Sequence, residues 1–424
     1  VLKDASSAAI YGSRATNGVI LITTKQGKSG DARITYNGTV NLQMAANLVD
    51  MVNTAEYVEI YNEATANDNA SSSIQRQYIT DDILANLDDV DYVREIFRPA
   101  LMHTHELSVS GGSDKVRYLV SGSYYNQDGI IMNSGYDRGT LRANVSADAK
   151  KWLQIGMNVN GSISNTKSVS SSGDGYGNSY GGSVVRYAMF RNPAIPIRDA
   201  NGNYVDKPSR YFGDSIYDTF FGDGYNPVAL AEYTDMNTRT KTLFAKVNAN
   251  IILPWGLNLN TNFGVDYINS EDKTYNRSWG DDDRINNPNS LSIVGNENLN
   301  WTLNTTLNWN KSFNDHNISA LLGFEAIKEH GKSVSNSDQD FPLWDKDLIY
   351  IGNGLGEKVS DESEWVNTLA SFYLSANYNW KNRYFVSAIL REDGTSRFVG
   401  KNRWGTFYAV SAGWTISNEP WMEG

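Results

Sequence analysis

The sequence predicts an all-β chain, a partial transmembrane antiparallel β-barrel. Three observations lead there: apolar and polar side chains alternate along about twelve segments, the segments are long, and short and long connections take turns between them. The alternation is clearest from Leu299 to Trp309, where Leu299, Trp301, Leu303, Leu307 and Trp309 interleave with Asn300, Thr302, Asn304, Thr306 and Asn308. Successive side chains of an extended strand point to opposite faces, so one face is greasy and the other wet. The same pattern holds at 34–44, 153–163 and 257–267, and more weakly near 105–111, 115–125, 138–148, 241–253, 316–327, 368–380, 383–391 and 406–416. At about 3.3 Å per residue and a tilt near 40°, eleven residues rise roughly 28 Å, close to the ~25 Å apolar band of an outer-membrane barrel. Soluble strands average about five or six residues.

The apolar face carries rings close to strand ends, at Trp301, Trp309, Tyr378, Trp380, Tyr408 and Trp414, as in the girdles where lipid meets water. The connections separate into two kinds. Gly112-Ser113-Asp114, Ala149-Lys150-Lys151, Pro254-Trp255-Gly256, the residues around Asn314-Asp315, and Lys381-Asn382 are short, whereas 45–104, 126–137, 164–240, 268–297, 328–367 and 392–405 are long. In outer-membrane barrels short turns face the periplasm and long loops the exterior. That orientation is expected here.

Composition removes several alternatives. With 37 basic against 48 acidic residues and a net charge of −11, there is no clustered basic surface for a nucleic acid. The absence of Cys excludes disulfides, thiolate nucleophiles and Cys-held metals. The apolar run Val19 to Ile22 has four residues, far short of a helical membrane span. The chain opens on Val1-Leu2-Lys3-Asp4 with neither an initiator Met nor a signal-peptide pattern, and reads as part of a longer protein.

Two ordered motifs carry a family resemblance. The opening stretch from Val1 to Lys25, with Lys3, Asp4, Tyr11, Gly12, Arg14, Asn17 and Gly18, resembles the end of the plug domain in the SusC/RagA family of TonB-linked outer-membrane proteins, the TonB-dependent transporters. Arg391-Glu392-Asp393-Gly394-Thr395-Ser396-Arg397-Phe398, followed by Asn402-Arg403-Trp404-Gly405 and Ala412-Gly413-Trp414, is similar to a barrel loop and strand of that family. Asn192-Pro193 through Asp199, Asn201-Gly202-Asn203-Tyr204 and Asn226-Pro227-Val228-Ala229-Leu230 fit its long third loop. The resemblance implies that residues 1–28 end a plug and 29–424 begin a barrel that would have twenty-two strands. It implies import of an oligosaccharide or peptide across the outer membrane, with a SusD-like surface lipoprotein and with TonB acting through a segment absent from this chain. A passive porin or adhesin barrel, or a soluble carbohydrate-binding β-protein, are the competing readings.

Each motif has a physical reading of its own. Gly12 and Gly18 bracket a turn, and the unalternating run Val19 to Ile22 predicts a plug strand buried on both faces. Lys3, Asp4 and Arg14 would meet the wet inner wall at residues such as Arg33, Arg117, Arg142 or Asp266, as a stabilising ion-pair network or as a latch that releases the plug. Loop 45–104 turns helical. Asn53 and Glu56 form a capping-box start, Tyr57, Ile60, Tyr61 and Ala64 share one face, and Thr80-Asp81-Asp82 begins a second helix. These helices would pack near the barrel mouth or present a docking surface.

Loop 164–240 begins Gly/Ser-rich and then becomes aromatic, with Tyr187, Phe190, Tyr204, Tyr211, Phe212, Tyr217, Phe220, Phe221 and Tyr225. Such rings either contact a sugar or peptide substrate or pack the loop on its neighbours. Elsewhere His103 and His105 share a face at a strand's start without a third ligand, and Asp281-Asp282-Asp283 lacks the spacing of a calcium loop. No nucleophile elbow or catalytic constellation is present, so the reading is of a non-enzyme without metal or cofactor, with outer-membrane lipid as its surroundings.

Overall fold

The computed structural model describes residues 18–20, 25–170, 183–222, 224–278, 288–342 and 348–422. Twelve strands form one antiparallel sheet in sequence order, each paired with the next. They are β1 (Gly30–Gln43), β2 (Ala100–Gly112), β3 (Val116–Asp128), β4 (Gly135–Lys150), β5 (Leu153–Ser168), β6 (Thr234–Ile252), β7 (Leu257–Asn276), β8 (Ser290–Phe313), β9 (His316–Gln339), β10 (Val359–Trp380), β11 (Tyr384–Thr395) and β12 (Trp404–Trp414). Every segment predicted by alternation is a strand, and the sheet is a partial barrel rather than two stacked layers.

The short turns gather at one end. Asn314, Lys381, Asn382 and Trp255 take positive φ there, the twist that a tight hairpin needs to match its right-handed strands. At the opposite end the strands run well past the predicted limits. β8 and β9 have 24 residues each and β10 has 22, so parts of the segments predicted as loops 268–297 and 328–367 are strand. The reason is chemical: where a wall stands in water on both sides, neither face needs apolar residues, and the alternation that marks a strand disappears.

Register fixes which face is which. Leu259, Leu307, Leu322, Leu374 and Leu390 are successive cross-strand partners in one register row, on the outer side. Along β10 the exposed Phe372 and Leu374 alternate with buried Ser371, Tyr373 and Ser375. The greasy face is thus the outer one and the polar face the enclosed one, an inversion of soluble packing that suits a lipid exterior. At the short-turn end the outer face bears a row of stacked rings, His316 to Trp380 (6.3 Å), Trp380 to Tyr384 (5.5 Å) and Tyr384 to Trp414 (6.3 Å).

The long connections carry seven helices among the described residues: α1 (Thr54–Ser71), α2 (Asp81–Leu84), α3 (Tyr92–Ile96), α4 (Val184–Phe190), α5 (Pro208–Phe212), α6 (Ile216–Phe221) and α7 (Pro227–Tyr233). The capping box of α1 is formed: Asn53 Oδ1 accepts from the Glu56 amide (2.9 Å) and Glu56 Oε2 from the Asn53 amide (3.0 Å). Its predicted face is rotated, however. Thr54, Val58 and Thr65 are buried with Tyr57 and Tyr61 beside them, while Ile60 and Ala64 face out. The hydroxyls decide this, since Thr54 Oγ1 donates to the Asp88 carbonyl (2.7 Å) and Tyr57 Oη to the Phe220 carbonyl (2.5 Å).

Beyond the ends of β8 and β9, residues Phe341 and Ile349 close over Tyr275 and Leu291. Asp338 anchors this cap. Its carboxylate has no exposed surface and accepts from the amides of Gln339 (2.8 Å), Gly352 (2.8 Å) and Gly354 (3.1 Å), with Lys358 at 3.5 Å. Burial by itself would raise its pKa, but the three amides and the ammonium outweigh burial and hold it below the ordinary carboxylate value. A depressed folded pKa stabilises the cap above the unfolded value, and the benefit is lost as pH falls through the folded one. Hydrogen exchange at the Gly352 and Gly354 amides, compared with amides in mid-β9, is therefore expected to lose protection selectively on acidification from about pH 5 to about pH 2. Equal loss at both places would mean the carboxylate does not hold the cap.

Candidate functional site

The inner face is where charge is buried. Arg391, on β11, is 2% exposed; its Nε donates to Asp393 (2.6 Å) and its Nη2 to Glu325 on β9 (3.1 Å). The guanidinium lies 4.9 Å from the centre of the Tyr373 ring, and Asn304 Nδ2 donates to Tyr373 Oη (2.8 Å) and Glu325 (3.3 Å). Tyr373 can lie flat because Gly323 faces it across the β9–β10 ladder; a Cβ there would stand 2.2 Å from the ring. Four strands, β8 to β11, thus meet in one polar knot. Alternation places these residues inward, but their convergence depends on register, which a single sequence does not reveal.

The tail of the predicted plug also lies on this face. The Asn144 amide of β4 donates to the Lys25 carbonyl (2.9 Å), and Gly27 touches the backbone of Tyr118, where a Cβ would come within 2.3 Å. Gly18 has φ 93°, in the left-handed region that glycine tolerates. Lys3, Asp4, Tyr11, Gly12, Arg14 and Asn17 lie outside the described residues, as do Leu21 and Ile22. Ile20 is 71% exposed, so the predicted burial of both faces of the run does not hold for it. One open sheet encloses a strand from one side only. Arg117, predicted to receive plug charges, pairs with Asp148 (3.2 Å) on the neighbouring wall strand.

The loop aromatics divide by environment. Phe220 and Phe221 are buried among Val58, Ile79, Ile195 and Val205, with Phe212 and Tyr217 stacked beside them at 4.4 Å between centroids. Tyr187 meets Tyr225 edge-on at 5.1 Å, and Tyr204 sits against Tyr233 (5.3 Å) under the Arg198 guanidinium (3.7 Å). Only Phe190 (68%) and Tyr211 (41%) of the nine are largely open, and Arg186 lies over the Phe190 ring. A residue that sequence reasoning passed over joins these elements: Arg191, 4% exposed, donates to the carbonyls of Val205, Asp206 and Gly224.

His103 and His105 lie inside β2 rather than at its start, because the strand begins at Ala100, and both face outward. His105 Nδ1 and Tyr36 Oη are 2.7 Å apart, a pairing between β1 and β2. Among the described residues no group of three or more metal-ligating side chains converges, and Asp281, Asp282 and Asp283 lie outside them. No described helix is long and apolar enough to cross a membrane.

No family model matches the chain. It is 29% identical over its full length to the TonB-dependent receptor P39 of Formosa agariphila, covering 38% of that protein. It is 28% identical to the TonB-dependent receptor SusC of Bacteroides thetaiotaomicron, again over the full chain and 41% of the relative. Among solved structures, the RagAB peptide importer in its open-open state superposes on the whole chain with a TM-score of 0.80 at 23% identity, over 48% of the RagAB chain. The chain thus spans about two fifths of the curated relatives. Similar from end to end to receptors of this kind and sharing the RagAB backbone, it is a SusC/RagA-like chain with the barrel fold of the TonB-dependent transporters.

Proposed function

We propose that this chain supplies wall and mouth to an outer-membrane importer driven through TonB, which takes up an oligosaccharide or a peptide beneath a SusD-like surface lipoprotein. The observation that carries the reading is the inverted sheet: leucines outward in one register row on five successive strands, and a buried Arg391–Asp393–Glu325 knot inward. Lipid outside and a wet, plugged lumen inside satisfy both faces at once. Likeness to SusC and to RagAB, a peptide importer, supports the import role and the lipoprotein partner. In this reading residues 1–28 end the plug, 29–424 begin the barrel, and the helices of the long connections face the exterior. Lys3, Asp4, Tyr11, Gly12, Arg14, Asn17 and Gly18 belong to the plug, and the open rings of Phe190 and Tyr211 are the loop aromatics placed to meet substrate.

The test is uptake by cells carrying the full-length receptor. Uptake of labelled oligosaccharide or peptide is expected to saturate and to stop when TonB is deleted or the proton gradient is collapsed. Linear uptake that survives both treatments would establish a passive porin instead.

A further inference from the structure

Among the described residues three aromatic rings lie close against a glycine of the facing strand, and they differ in setting. Tyr373 on Gly323 is buried under Arg391, and Trp404 on Gly394 stands on the outer face beside Phe372, 45% exposed. The third is Trp365, on β10. Its indole rests on Gly331 of β9, where a Cβ would stand 2.4 Å from the ring. Among the described residues no ring or cation is stacked on its other side, and Trp365 is 46% exposed. A strand glycine weakens its strand unless something must approach its backbone closely, and here what approaches is the flat underside of an indole.

The register puts Trp365 on the inner face, in phase with Ser371 and Tyr373 and without a bulge between. It stands fifteen positions from the Trp380 turn, roughly 38 Å up the wall and beyond the ~25 Å apolar band, at the mouth. Its inner-face neighbours are Asn298, Asn296, Ser333, Ser363, Asn367 and Glu329. Just below, Asn300 Oδ1 is buried without a hydrogen-bond partner in the structure. The ladders on both sides of β9 are complete, so beneath the ring the main chain has no free groups, whereas β10 pairs with β11 only from Leu369 to Trp380 and its stretch 359–367 keeps a free edge, which makes an added peptide strand the competing occupant. On the inner face itself stands an open aromatic platform in a wall of amides and hydroxyls beside the Glu329–Arg397 pair.

We infer that Trp365 is a stacking platform for a pyranose ring of a neutral oligosaccharide, with the flanking Asn and Ser side chains bonding its hydroxyls. Apolar C–H faces of sugars lie on aromatic faces, and amides both donate to and accept from hydroxyls. Glu329 has Arg397 at 3.9 Å as its counter-ion, so no net positive charge is left in this row to favour an anionic glycan over a neutral one. This assignment rests on the import reading and narrows it to one substrate class.

The experiment uses the full-length receptor in detergent, titrated by calorimetry and by tryptophan fluorescence with maltoheptaose, cellohexaose, laminarihexaose and xylohexaose, and in parallel with a hexapeptide to octapeptide library. Trp365→Ala is expected to weaken binding of the preferred oligosaccharide by about tenfold or more, and Trp365→Tyr to keep most of it. Gly331→Ala, which displaces the ring without removing it, is expected to weaken the same ligand. Heat-modifiable gel mobility checks that each variant stays folded. Binding of no oligosaccharide, or binding unchanged in Trp365→Ala, overturns the assignment. Preference for peptides with TonB-driven uptake intact would overturn it too while leaving the import reading standing, whereas loss of TonB dependence would count against the import reading alone.

Discussion

Leu374→Ala is expected to cost the folded receptor in lipid vesicles about 2 kcal/mol, the transfer energy of the carbons removed, and Leu374→Arg about 2–4 kcal/mol beyond that. Leu374 stands on the outer face in the row with Leu322 and Leu390, six positions from the Trp380 turn and so roughly 15 Å up, near the middle of the apolar band. An arginine at that depth must shed water or drag it into hydrocarbon. An alanine leaves no cavity, because lipid chains flow into the space. The two substitutions together separate lipid from protein as the neighbour of this face. Packed against a second protein layer, Leu374→Ala would add a cavity term to that transfer loss and cost up to about 5 kcal/mol. Asn377→Arg, on the inner face of the same strand, is expected to change stability by no more than about 0.5 kcal/mol. Denaturant titration of the receptor refolded into vesicles, followed by tryptophan fluorescence, measures all three. An alanine costing about 4 kcal/mol or more would refute the lipid-facing assignment.

The difference between those neighbours also explains what could be read from sequence. Between Leu299 and Trp309 hydrocarbon lies on one side and water on the other, and the residues record the contrast position by position. In 359–367 of β10, and in the last third of β9, both sides meet water. Lys332, Glu362 and Glu364 sit on the same outer face that lower down carries Leu322 and Leu374, and Lys332 pairs with Glu362 at 2.9 Å. There the strand persists because its ladder does, and nothing in the residue pattern shows it. The α1 start was legible because a capping box is local, spanning Asn53 to Glu56. Its buried face was not, because the bonds that rotate Ile60 outward come from Asp88 and Phe220, both distant in sequence. The same limit applies to the aromatic loop: nine rings announce a cluster, but which of them stay open depends on how α4, α5 and α6 pack. Trp365 illustrates it again, since its partner Gly331 is identified by register alone.

Arg391→Met is expected to cost about 3–5 kcal/mol, the largest effect of any single substitution on the inner face. The guanidinium is almost fully buried between Glu325 and Asp393, and its removal leaves two carboxylates facing one another beside the Tyr373 ring. The cost comes from what remains rather than from what is lost: uncompensated charge in a space that water enters poorly. Two consequences follow that a simple packing defect would not share. Arg391→Lys should recover only part of the loss, because an ammonium cannot span Nε-to-Asp393 and Nη2-to-Glu325 in one plane. Combining Arg391→Met with Glu325→Gln and Asp393→Asn should recover most of it, giving a strongly non-additive cycle. These cycles are read from denaturant unfolding of the receptor in vesicles. If the triple variant is no more stable than Arg391→Met, the arginine acts by filling volume, and the charge argument for this knot is wrong.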